Sequence, residues 1–73
     1  MEEKMRLYEK FSLEKEISTI LNSLNLEIDP NEGDIESAVE YILMTNDMGE
    51  EMTAADWVEA TLSNYPEWFK RRN

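Results

Sequence analysis

The residues best suited to chemistry lie in the stretch DPNEGDIESAVE, positions 29–40. It begins with aspartate, ends with glutamate and has glycine near its middle, which suggests a calcium loop. A helix–loop–helix calcium site places oxygen ligands at positions 1, 3, 5, 7, 9 and 12 and glycine at 6. From Asp29 the ends fit: Asn31 falls at 3, Ser37 at 9 and Glu40 at 12. The middle fails, because Gly33 occupies a ligand position and Asp34 the position that needs glycine. The stretch is one residue too short. Turn chemistry explains it better: Asp29-Pro30 and Asn31-Glu32-Gly33 break the chain, and Asp34 is placed to N-cap a helix opening at Ile35. We expect no specific metal site and no cofactor.

Other chemistries have little to work with. Cysteine and histidine are both absent, which removes the thiol nucleophile, the usual general base and the commonest metal ligand. No glycine-rich phosphate loop, H-E-x-x-H or G-x-S-x-G motif occurs. Paired carboxylates can perform acid–base work, as in glycoside hydrolysis. That work needs a cleft, however, and 17 acids among 73 residues produce close pairs by chance. The expectation is a non-enzymatic protein.

Seventy-three residues make one domain. A chain this short buries only about 60% of its unfolded surface. No apolar run approaches the length of a membrane span, and MEEKMRLYEK is too charged for a secretory signal. Together with the lack of cysteine, this leads us to expect a cytoplasmic protein.

Charge is the anomaly. The net charge is −10, and Lys4, Arg6, Lys10, Lys15, Lys70, Arg71 and Arg72 all lie near the two ends. Residues 16–69 contain 13 carboxylates and no lysine or arginine, so that segment can form no internal salt bridge. Ordinary soluble surfaces intersperse both signs.

Apolar spacing is helical throughout, and no strand-like alternation persists. At about 100° per residue, Leu13, Ile17, Ile20, Leu21 and Leu24 make one face of a helix over residues 13–25, with Ser12 a candidate N-cap. Leu7, Tyr8 and Phe11 form a stripe pointing about 145° away. Either residues 1–11 form a separate short helix folded back on the core, the reading we favour, or that stripe docks a partner. A second helix is expected from 35 to about 45, with Ile35, Ala38, Val39 and Ile42 inward. Tyr41, Met44 and Met48 make a second stripe, expected to pack centrally. NDMGEEM is a turn. Thr53 and Asp56 then form a capping-box variant opening a third helix, whose face is Ala54, Val58, Thr61, Leu62, Tyr65 and Phe69. Pro66 should end that helix near residues 63–64 and begin a short one. Trp57 and Trp68 flank the stripe. The expected fold is all-α, a small bundle of three or four helices.

Direct nucleic-acid binding is disfavoured, because it rests on lysine and arginine. The terminal Lys70-Arg71-Arg72 is expected to cap the last helix. A cation-free acidic surface is steered instead toward a basic protein, and the owners of basic grooves are nucleic-acid-binding proteins. Small acidic proteins that occupy such grooves, many of them phage-encoded, are known as DNA mimics. This chain resembles that class in size and charge. One expected anionic ridge comprises Glu27, Asp29, Glu32, Asp34, Glu36 and Glu40, and a second Glu50, Glu51, Asp56 and Glu59. Tyr8, Phe11, Tyr41 and Trp57 are candidate anchors. The alternative is a small accessory subunit or adaptor that docks through its apolar stripes, its acidity serving solubility only. The sequence leaves the oligomeric state open.

Overall fold

The computed structural model describes residues 2–72, with side chains from Leu7 onward. The cations Lys4 and Arg6 therefore have side chains outside the described residues. Among the described residues there are three α-helices, a two-stranded antiparallel ribbon and one 3-10 turn: α1 (Glu2–Ser23), β1 (Leu26–Ile28), α2 (Ile35–Asp47), α3 (Ala54–Asn64), the 3-10 turn (Pro66–Trp68) and β2 (Phe69–Arg71). The molecule measures 40 × 21 × 21 Å.

The chain is mostly helical, as the apolar spacing requires, but the all-α bundle needs correction. Residues 26–28 and 69–71 pair as strands in the register Leu26↔Arg71, Glu27↔Lys70 and Ile28↔Phe69. Backbone bonds extend the pairing at both ends, from Asp29 N–H to Trp68 C=O (2.7 Å) and from Arg72 N–H to Asn25 C=O (3.0 Å). Side chains alternate across the ribbon. Ile28 and Phe69 turn toward the core, while Glu27 and Lys70 face water. Lys70-Arg71-Arg72 therefore does not continue or cap the last helix. The Arg72 guanidinium bonds Asn22 Oδ1 instead, which sets a cation beside the last turn of α1, where carbonyls accumulate negative potential.

α1 is also a correction. It runs unbroken for 22 residues, and Ser12 sits inside it rather than capping a second helix. No glycine or proline interrupts residues 2–23, and glutamate, lysine, leucine and methionine are good helix formers. Since one straight helix cannot bury two stripes that diverge this far, only the second is used. Ile17 and Leu21 are buried, with Leu13 and Ile20 packed at the margin. Leu7, Tyr8 and Phe11 remain 57, 75 and 71% exposed. The helix ends where Asn25 adopts φ +60°, a left-handed conformation that asparagine tolerates better than most residues.

α2 opens as its sequence requires, with Ser37 N–H donating to Asp34 Oδ1 at 2.8 Å. Its far end closes in a Schellman motif. Glu50 N–H reaches Thr45 C=O (3.2 Å), Gly49 N–H reaches Asn46 C=O (3.0 Å), and Gly49 supplies the positive φ of 94°. Beyond it the Asn46 amide clamps the connecting chain, accepting from Met52 N–H (2.7 Å) and donating to Met52 C=O (3.2 Å). α3 then starts with the full capping box: Asp56 N–H donates to Thr53 Oγ1 (3.1 Å) and Thr53 N–H to Asp56 Oδ2 (3.2 Å). Pro66 begins the 3-10 turn.

The core lies where the three helices meet the ribbon. Ile17 and Leu21 of α1, Ala38, Val39 and Ile42 of α2, Ala54, Trp57 and Val58 of α3, and Phe69 of β2 form one buried cluster. Trp57 meets Phe69 edge to face, with centroids 6.0 Å apart. Phe69 thus reaches the core from a strand rather than from the end of α3.

Candidate protein-binding surface

α2 and α3 contain no lysine or arginine, so the charged groups on their solvent faces are all carboxylates. Opposite the buried Ala38–Ile42 face of α2, Glu36 and Glu40 stand exposed, four residues apart and on one side of the helix. Beside them run Tyr41, Met44 and Met48, at 50, 56 and 73% exposure. The central packing expected for this stripe is not what the fold does with it: the stripe faces water. The reason is geometric, because a three-helix core this small covers only one face of each helix.

The two expected acidic ridges are used unevenly. Glu27 projects from β1 and pairs with Lys70 at 3.8 Å, so a terminal cation screens the start of the first ridge. Asp29 Oδ1 accepts from Asn31 N–H at 2.9 Å, closing an Asx turn. Asp34 is occupied as the α2 cap. The Ser37 backbone N–H, and secondarily its side chain, hold the Asp34 carboxyl below its ordinary range. Glu32, Glu36 and Glu40 are exposed. In the second ridge Asp56 belongs to the capping box, while Glu50 and Glu51 lie exposed on the turn and Glu59 on the outer side of α3.

Of the four aromatic anchors, Tyr8, Phe11 and Tyr41 are exposed and Trp57 is not. At 7% exposure Trp57 is a core residue, contrary to its expected use as a surface anchor. Its position on the flank of the α3 stripe places it beneath a groove. That groove, about 460 Å³, runs between α2 and α3, and Asp34, Ser37, Ala38 and Tyr41 form one wall of it. The other wall is Trp57, Ala60, Thr61 and Asn64. Both sets have helical i, i+3, i+4, i+7 spacing. Tyr65 and Trp68, stacked at 4.8 Å with 19° between their planes, close one side.

This groove and its stacked aromatic pair are the features that the sequence reading missed. The available signal was Tyr65-Pro66-Glu67-Trp68: a proline-initiated 3-10 turn eclipses residues three apart, which brings those two rings together.

Known protein families, curated proteins and solved structures contain no match to this chain. The surface itself is therefore the basis for its functional reading.

Proposed function

We propose that this protein is a non-enzymatic acidic binding module that docks on a basic, nucleic-acid-binding protein and modulates it by covering its basic surface. The observation that carries this reading is the outer face of α2. There an exposed apolar stripe of Tyr41, Met44 and Met48 runs beside Glu36 and Glu40, on a helix with no cation. Exposed apolar area of this kind marks an interface. The flanking carboxylates repel nucleic acid and steer toward positive partners, with attraction that falls as salt rises. Of the three cations at the C-terminal end, Lys70 and Arg72 are committed to Glu27 and Asn22 beside the ribbon, and Arg71 is exposed on β2.

The test is affinity capture from lysate at low salt, with elution first by duplex DNA and then by raised salt. Release of basic proteins by DNA supports the reading. Captured proteins that resist both DNA and salt overturn it.

A second reading has its own observation. Leu7, Tyr8 and Phe11 lie exposed along α1, which favours an adaptor docking through that stripe with little dependence on salt. The paired substitution Tyr8→Ser and Phe11→Ser removes this binding and leaves capture through α2 intact.

A further inference from the structure

We propose that the groove between α2 and α3 receives a single arginine side chain from the basic partner, with the guanidinium on the open face of the Tyr65–Trp68 stack and paired with Glu32 and Asp34. This assignment rests on the acidic-module reading and names the chemistry by which it selects a partner.

Four observations converge on it. The groove, at about 460 Å³, lies within the range of roughly 300–1,000 Å³ usual for ligand pockets, and its lining includes the small residues Gly33, Ala38 and Ala60. Aromatic rings make up much of its wall, and Tyr41 and Tyr65 are each half exposed in the free protein. Its charged lining is Glu32 and Asp34, with no lysine or arginine. Finally, Asp34 holds the helix cap through Ser37, and because a carboxylate offers about four lone-pair sites it can accept a further bond while it caps.

A guanidinium suits this combination better than an ammonium. It is planar, stacks on aromatic faces, is weakly hydrated and presents a fork of N–H donors to carboxylates. An anion would meet two carboxylates and no cation. Tyr41 belongs both to this groove and to the exposed stripe with Met44 and Met48, so a segment anchored here by arginine can continue along α2 over apolar surface.

The experiment titrates the full chain with three short acetylated, amidated peptides of glycine, serine and lysine that differ only at the central residue. That residue is arginine, lysine or citrulline, the last being the neutral isostere of arginine. Indole fluorescence and the NMR shifts of Tyr41, Tyr65 and Trp68 report binding. The arginine peptide is expected to bind about tenfold more tightly than the citrulline peptide, the scale of a charge-assisted hydrogen-bonded pair, with lysine between them. Glu32→Gln and Tyr65→Ser should each erase the arginine advantage but retain the weaker attraction due to the flanking lysines. Glu59→Gln, on the outer side of α3, should preserve it. Circular dichroism confirms that each variant is folded.

Equal affinity for all three peptides, or an arginine advantage that survives both Glu32→Gln and Tyr65→Ser, overturns the groove assignment and leaves the acidic-module reading standing. Failure of all three to bind even at low salt overturns both.

Discussion

Asp34 shows how much one side chain can do here. Its carboxylate satisfies an otherwise orphaned N–H of α2, and that hydrogen bond favours the ionised form. A carboxyl held below its ordinary value of 3.8 in the folded state contributes stability above that value, and the contribution is lost as pH falls through the lower, folded value. Asp34→Ala should therefore lower the thermal midpoint by a constant amount between neutrality and about pH 5. The gap from the parent should narrow below pH 3.8. Comparing two proteins of nearly equal charge cancels the general effect of acid on the remaining carboxylates. A gap that stays constant down to pH 2 to 3 would mean that the cap is indifferent to ionisation. Thr53→Ala, at the α3 box, should cost about 1 kcal/mol in denaturant unfolding. Both caps were legible in the sequence because each partner lies three residues from its cap. The Asn46 clamp on Met52 spans six residues across a turn and belongs to no local pattern, so nothing in the sequence singled it out.

Among the elements, helices were legible and strands were not. The N-terminus of α2 and both ends of α3 follow from caps, the Pro66 break and apolar period. β1 and β2 are three residues each, too short for alternation to be seen. They are strands because residues 26–28 and 69–71 meet across most of the chain, a pairing set by tertiary packing rather than by propensity. α1 shows the reverse error. Two diverging stripes suggested a break, yet local propensity favours continuation, and an exposed stripe costs less than interrupting a helix. This makes a sharp contrast testable. Ile42→Ala should lose about 2–5 kcal/mol, the range for a fully buried aliphatic side chain. That is a large share of the roughly 4–11 kcal/mol expected for a domain of this length. Leu7→Ala, on the exposed stripe, should stay within about 0.5 kcal/mol. Chemical denaturation of both variants measures the difference, and a large loss at Leu7 would place the first stripe in contact with the core.

At the scale of the whole molecule the deciding quantity is uncompensated charge. The run of 13 carboxylates without a cation was plain in the sequence, but where the terminal cations would go was not, since only the ribbon brings Lys70 to Glu27. That contact is exposed on both sides, and pairs of this kind contribute roughly 0–1 kcal/mol. It offsets little of a net charge of −10. Repulsion among exposed carboxylates acts over a Debye length of about 10 Å at 0.1 M salt and about 3 Å at 1 M. The molecule is only 21 Å across, so most of its carboxylates feel several neighbours at low salt and few at high salt. Sodium chloride should therefore raise the thermal midpoint of the free protein, because it weakens many repulsions and few attractions. Lys70→Ala deepens the imbalance. It should lower the midpoint at low salt, by less than about 1 kcal/mol of stability, and have a smaller effect at high salt. A midpoint that falls as sodium chloride is added would show that attractions dominate the surface, and an acidic face already compensated from within has no field left to offer a basic partner.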